Sequence, residues 1–234
     1  MIRLDKFFSM QNIATRKDIG VMIRKGRVEI DGVVVKNSAM KIDENTAKVK
    51  LDGKEISYNK FVYIMMNKPK GILSATRDKN ASTVLDIIPE ELQRKELFPA
   101  GRLDKDTTGL LIITDDGDLA HRMLAPKSHV YKRYKATIDM DIEKSDIKKF
   151  ADGIVSGENH FLPAVLEQDE KEKNVGYVTI REGKFHQVKR MFVACGKKVV
   201  ELQRLSIGEL CLDKKLEQGQ CRAITDEEVL KIFE

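Results

Sequence analysis

The sequence predicts an α+β protein built as two unequal units, residues 1–59 and 60–234. Three observations carry that prediction. At 234 residues, with 41% hydrophobic and 34% charged side chains, the chain suits one large domain or two smaller ones with a heavily charged surface. Strand-like runs closed by Asp-Gly or Lys-Pro-Lys-Gly turns outnumber stretches of helical period. The charge is also lopsided: residues 1–60 hold 13 Lys and Arg against 8 Asp and Glu, while residues 61–234 balance at 29 and 29. A compact basic unit joined to a near-neutral larger one is the pattern of a polyanion-binding module fused to a second domain.

In the first unit, "RLDKFFSM" places Leu4, Phe7 and Phe8 at helical spacing. "ATRKDIGVMIRKG" opens on Thr15 three residues before Asp18, an N-cap pattern, and stops at Gly26. Wound as a helix, it carries Ile19, Met22 and Ile23 on one face. Arg16, Lys17, Arg24 and Arg27 fall within roughly a 100° arc on another. Gly20 lies between them and is expected to be exposed, letting a phosphate backbone come close. With Arg3, Lys6 and Lys25, these cations are the candidate contacts to a polyanion's phosphates; the alternative is a solvated charged face. "RVEIDGVVVK" and "KVKLDGKEISY" read as hairpins turning at Asp31-Gly32 and Asp52-Gly53.

The second unit begins after Asn59–Phe61. "FVYIMMNKPKG" reads as a strand and a turn, and "STVLDIIPEEL" as a short helix. "LLIIT" reads as a strand buried on both faces, and "DLAHRML" as the helix after it. "YKRYKATID" alternates, offering Tyr134 to one face. "DIEKSDIKKFADG" is an amphipathic helix ending at Gly153. Residues 175–208 read strand, turn, helix, strand, and "TDEEVLKIF" is a helix capped by Thr225.

Several classes are set aside. Cys195, Cys211 and Cys221 are odd in number and form no CxxC, which predicts reduced, mostly buried thiols. Four histidines show no metal-ligand spacing, so no metal site is expected. No apolar run approaches the ~18 residues of a membrane span, and the first residues do not resemble a signal peptide. The expectation is a cytoplasmic protein with no membrane partner.

The chemistry concentrates in two stretches. "GRLDKDTTGLLIIT" sets Arg102 and Asp104 on the lip of the buried strand. Such a pair is either a surface ion pair worth ~0–1 kcal/mol or a catalytic carboxylate with a cation nearby. On a helix, residues 185–196 carry Val188, Met191, Phe192 and Cys195 on an apolar face. His186, Lys189 and Arg190 gather on the opposite side. Asp106 and Asp115 read as turn or cap residues.

"GRLDKDTTGLL" resembles the catalytic motif of the pseudouridine synthases. "EGKFHQVKRMF" resembles the basic C-terminal motif of one of their branches, and "KRY" at Lys132–Tyr134 the strand carrying their active-site tyrosine. Met66-Asn67-Lys68-Pro69 is similar to a turn of the same branch. "RLDKF" through "GRVEIDG" resembles the S4-type RNA-binding module. The resemblance spans nearly the whole chain, in order. It implies an S4-like unit followed by a synthase domain with a mixed, mostly antiparallel sheet and flanking helices. It also implies isomerisation of uridine in RNA without cofactor or metal. The N1–C1′ bond breaks, the uracil turns, and it rejoins through C5.

The resemblance makes Asp104 the nucleophile, acting on a flipped-out base. Acylal, glycal and C6-adduct routes are all open, with the glycal route preferred. Arg102 would grip phosphate or fill the vacated stack. Tyr134 would offer its ring to the uracil, and Lys189, or failing it Arg190, would keep the carboxylate ionised. His186 and Gln187 would either contact RNA or order the motif loop. The implied partner is 16S ribosomal RNA, or a small-subunit assembly intermediate, bound by a monomer. A large-subunit 23S enzyme of the same branch and a non-catalytic assembly factor are the alternatives.

Overall fold

The structure, a computed structural model, describes residues 1–234 except for the side chain of Pro126. It divides into two compact units: Met1–Val62 with Gln93–Glu96, and Tyr63–Leu92 with Leu97–Glu234. The outlying Gln93–Glu96 stretch is tied to the rest of the first unit by hydrogen bonds in both directions. Asn12 Nδ2 donates to the Gln93 carbonyl (2.9 Å), and the Arg94 guanidinium donates to the carbonyls of Asn59 and Lys60 (2.9 and 3.0 Å).

In the first unit, β1 (Ile2–Arg3) leads into α1 (Leu4–Met10) and α2 (Arg16–Arg24), then β2 (Val28–Ile30), β3 (Val33–Val34), β4 (Lys41–Ile42), β5 (Val49–Leu51) and β6 (Lys54–Ile56). Thr15 caps α2 by accepting from the Asp18 N–H, and Gly26 ends it at φ +74°. Asp31-Gly32 and Asp52-Gly53 both take positive φ, the two-residue turn that suits twisted hairpins, and a four-stranded sheet ordered β3-β2-β5-β6 results. Leu4, Phe7, Phe8, Ile19, Ile23, Val28 and Val49 are its fully buried core.

The candidate RNA contacts of this unit are not equivalent. Asp5 binds Arg3 through Nε and Nη2 (3.1 and 2.8 Å) and Arg16 through Nη2 (3.0 Å). Arg27 pairs with Asp52, whereas Lys6, Lys17, Arg24 and Lys25 are exposed. Gly20 is buried, contrary to expectation: Ser38 and the Arg24 guanidinium lie over it. The hydrogen bond from Arg3, then that from Arg16, holds the Asp5 carboxyl down at about 2. Its folded value lies below its unfolded one. The stabilisation is therefore complete above about pH 4 and lost as pH falls through 2. Asp5→Asn is expected to remove about 1 kcal/mol at pH 7, modest because both guanidiniums are half exposed. It should also flatten the acid limb of a melting-temperature profile; an unaltered limb would contradict this.

The second unit is built on a nine-stranded mixed sheet. Its elements are β7 (Tyr63–Lys68), β8 (Phe98–Ala100), β9 (Thr108–Thr114), α3 (Gly117–Leu124), β10 (Lys132–Ile138), α4 (Lys144–Asp152), β11 (Ile154–Ser156), β12 (Asn159–Phe161), β13 (Val165–Gln168), β14 (Val175–Ile180), α5 (Gln187–Ala194), β15 (Val199–Ile207), β16 (Leu210–Cys211), β17 (Cys221–Ala223) and α6 (Asp226–Leu230). The main path runs β13-β14-β10-β15-β9-β7-β17, with β16 on β15, β8 on β9, and β11–β12 a separate hairpin. Every residue of β9 is buried, as its unbroken apolar run requires. Asp116 caps α3, and a capping box at Thr225 and Glu228 opens α6.

Two local expectations are corrected. "STVLDIIPEEL" forms turns and only a 3₁₀ turn at Glu90–Leu92. Both the Thr83 N–H and its hydroxyl donate to Asp86 (2.7 and 3.1 Å), and Leu73 forms an isolated parallel bridge to Thr83, its N–H donating to the Ser82 carbonyl (3.0 Å) and its carbonyl accepting from the Val84 N–H (2.9 Å). These local bonds displace the helical ones, and Pro89 supplies no N–H. The thiols are free, but none is fully buried: Cys195 and Cys221 are half-buried and Cys211 is exposed.

Candidate active site

The site lies on a seam in the sheet. β9 pairs with β15 in parallel only at Thr108 and Gly109, opposite Gln203 and Arg204. From Ile112 onward β8 takes that edge of β9 instead. The strands part between, and Arg204 Nε donates to the Leu110 carbonyl left there (2.8 Å). Gly109, at φ +99°, permits the close approach: a Cβ would sit 2.2 Å from the Arg204 oxygen. The connection from β8 to β9, residues 101–107, carries Arg102 and Asp104.

That loop is held from below. The Ser74 hydroxyl donates to the Leu103 carbonyl (2.9 Å) and accepts from the Leu103 N–H (3.1 Å). Asp104 and Thr107 close a turn through the Thr107 N–H (3.1 Å). Lys68, completely buried, donates its ammonium to the carbonyls of Pro69 (3.0 Å), Thr107 (3.0 Å) and Lys105 (3.4 Å). Burial pushes the Lys68 ammonium down to about 8, against the opposing pull of Asp106 and Asp104. The sequence places Lys68 in the turn after the strand; here it is instead the last residue of β7, and a charged turn residue gives no signal of full burial or of a role as a staple.

Asp104 is one-quarter exposed and meets two groups from the start of α5. Lys189 Nζ lies 3.0 Å from Oδ2, and His186 Nε2 lies 3.3 Å from Oδ1. Lys189 also bonds Asp106 at 2.6 Å. Burial alone would lower the Lys189 ammonium, but hydrogen bonds to Asp106 and Asp104 outweigh it and raise it. Lys189 in turn holds the Asp106 carboxyl below its ordinary value. Asp106 was read as a turn residue. Its spacing of two from Asp104 was visible, but its shared cation, 83 residues later in the chain, was not.

Arg190 turns elsewhere. It donates to the Ser156 carbonyl (3.5 Å) and lies against Asn159 and the Phe161 ring, on the β11–β12 hairpin. Lys189 is therefore the cation beside Asp104. His186 is not a helical residue on the Lys189 face. It is the N-cap of α5 at φ +50°, and that left-handed backbone aims its ring at Asp104. Gln187 is buried at 4% exposure. Its Oε1 accepts from the Lys184 N–H (3.0 Å) and its Nε2 donates to Glu182 (2.8 Å), so it orders the motif loop. Arg102 is exposed.

Tyr134 sits in β10 with 8% of its surface exposed. No hydrogen bond joins it to Asp104 among the described residues. It lies instead on a register row: Lys68 opposite Gly109, Gly109 opposite Arg204, Arg204 opposite Tyr134, and Tyr134 opposite Val178. Tyr134 is thus two strands, roughly 10 Å, from the glycine at the seam. Chemically, the arrangement offers a carboxylate paired with an ammonium and open on one side.

Residues 62–194 match the RNA pseudouridylate synthase family, and residues 2–47 match the S4 domain. The chain is 43% identical over 231 residues to an uncharacterised RNA pseudouridine synthase of Bacillus subtilis, with 97% of each chain covered. It is 42% identical over 234 residues to the ribosomal small subunit pseudouridine synthase A of Vibrio cholerae, covering 99% of this chain and 100% of that one. A crystal structure of a pseudouridylate synthase matches with a TM-score of 0.68 at 36% identity, over 99% of this chain and 100% of the other. A family match over more than half the chain, together with end-to-end relatives at this identity, makes the protein a member of the RNA pseudouridylate synthases, with an S4 domain at its N-terminal end.

Proposed function

We propose that this pseudouridine synthase acts on 16S ribosomal RNA, at a site of the uridine-516 type, with Asp104 as the attacking or proton-abstracting group. The observation that carries the mechanism is the carboxylate at the seam. Asp104 is paired with Lys189 and His186, yet one-quarter exposed. A carboxylate in that state can take the C2′ proton, or bond to C1′, as the N1–C1′ bond breaks and the electron pair leaves with the uracil. The base turns and C5 bonds to C1′ as the proton held by Asp104 returns to C2′, or, on the covalent route, as the Asp104–C1′ bond breaks and the carboxylate leaves; the C5 proton is then released as N1 gains one, so no atom is gained or lost.

The residues around Asp104 divide the remaining work. Lys189 neutralises the carboxylate between steps and Asp106 fixes Lys189. Arg102, exposed at the loop, meets the RNA where the base has left the stack. Tyr134 offers its ring edge to the uracil. In the first unit, Lys6, Lys17, Arg24 and Lys25 supply phosphate contacts whose strength falls steeply with salt. The choice of 16S RNA rests on the full-length similarity to the Vibrio cholerae small-subunit enzyme. Mapping pseudouridine in 16S and 23S rRNA after incubation with the purified protein tests it. A new pseudouridine in 16S rRNA is expected; one confined to 23S rRNA would move the enzyme to the large subunit.

A further inference from the structure

Phe185 is the least explained side chain near the carboxylate. It is 68% exposed, and apart from Met1 no large apolar residue among the described residues is more so. An isolated exposed apolar residue is unremarkable on a protein surface. This one differs in two ways: its ring is held rigidly, and it stands one residue from a group touching Asp104.

The rigidity comes from both flanks. On one side, the Lys184 ammonium binds Glu182 (3.2 Å) and the His160 carbonyl, and its N–H is held by Gln187. Glu182 is itself fixed by the Leu162 N–H (2.9 Å). On the other side, His186 is locked in a left-handed conformation at the start of α5. That backbone turn lays the Phe185 ring on the imidazole, with centroids 3.7 Å apart and planes 20° from parallel. One face of the phenyl ring is thus covered by His186, whose edge meets Asp104 at 3.3 Å. The spacing is close to that of stacked bases.

Cations stand around it: Lys184 and Lys189 are ion-paired with Glu182 and with Asp104 and Asp106, while Arg102 and Lys105 are exposed on the loop that carries Asp104. A flat, preformed aromatic ring among cations is the arrangement with which proteins take up unpaired bases: phosphates meet the charges and a base meets the ring. By contrast Phe161, close by, is 4% exposed and lies under Lys184 and Arg190.

We infer that the outer face of Phe185 is a stacking site for the RNA base next to the target uridine, with His186 as the second layer of the platform. The inference rests on the functional reading above, since only an RNA substrate brings such a base to Asp104. Extruding the uridine leaves its neighbour without a stacking partner, and the platform replaces that partner.

The test uses the full-length protein and a 16S rRNA fragment containing the uridine modified by the wild type. F185A and F185L are expected to weaken binding about 5- to 100-fold, the range for one base stacked on an aromatic ring. F185W should bind as the wild type does. F185L keeps the apolar bulk, so it carries the comparison alone should F185A melt early. An abasic site at the neighbouring nucleotide should weaken wild-type binding by a similar factor and F185L binding hardly further. A 2-aminopurine placed there should be quenched by the wild type and not by F185L. Equal binding by F185L and wild type, or full additivity of F185L and the abasic site, would overturn the inference. Wild-type protein that forms no pseudouridine in 16S rRNA would instead break the functional reading, and this inference with it.

Discussion

Asp104→Asn is expected to abolish pseudouridine formation, lowering the single-turnover rate by about four orders of magnitude or more, the scale seen when a nucleophile acting as part of a unit is removed. Asparagine keeps the shape of the side chain and loses its charge, so it can neither take a proton nor bond to C1′. The geometry makes this a clean experiment. Lys189 retains Asp106 at 2.6 Å as its partner, so the variant leaves no lone buried ammonium. Ser74 and Lys68 hold the loop through its backbone, which the substitution does not touch. RNA affinity and melting temperature should therefore stay near the wild type. Activity would be read as pseudouridine released by complete digestion of the RNA. Appreciable turnover by Asp104→Asn would disprove the role assigned to the carboxylate.

The second large effect is on folding. Gly109→Ala should cost about 4 kcal/mol or more and leave little soluble protein. The new Cβ would meet the Arg204 oxygen at 2.2 Å and nitrogen at 2.7 Å. Both are backbone atoms of a paired strand, which cannot swing away as the end of a side chain can. The φ of +99° adds strain of its own. Gly117→Ala is the control, because nothing lies within 4 Å of its Cβ and its φ is ordinary. Thermal melting of the two variants beside the wild type measures the difference; near-equal melting temperatures would mean the seam is looser than described.

Much of the architecture was legible because it is locally encoded. Thr15, Thr225, Asp31-Gly32 and Asp52-Gly53 act within four residues of themselves, and each does in the structure what its type predicts. The buried run of β9 is equally plain. The failures share a cause, which is that a partner distant in sequence, or a bond from a side chain to the backbone, decides the outcome. Ser82–Leu92 has helical period, but Asp86 and Leu73 claim its N–H groups. Gly20 is small, but Ser38 and Arg24 cover it.

The site divides in the same way. Its motifs pointed to Asp104 and Lys189, which the structure pairs at 3.0 Å. The role of Asp106, the burial of Lys68 and the turn of Arg190 toward Asn159 all depend on segments far apart in the chain. His186 was placed on a helix face because periodicity cannot report a left-handed cap.

The seam also sets when the enzyme can exist during synthesis. β15 lies between β10 and β9, so the middle of the sheet stays open until Val199–Ile207 has left the ribosome. Asp104 is translated long before, and Lys189 reaches it only through α5, the helix just ahead of β15. A nascent chain can thus complete its S4 domain and engage RNA while its catalytic half still has an unfilled slot. Contacts of such long sequence separation form slowly. A stalled chain ending before residue 199 is expected to be inactive, and competence to arrive late, once β15 and the β16, β17 and α6 segments behind it have joined the sheet and its core.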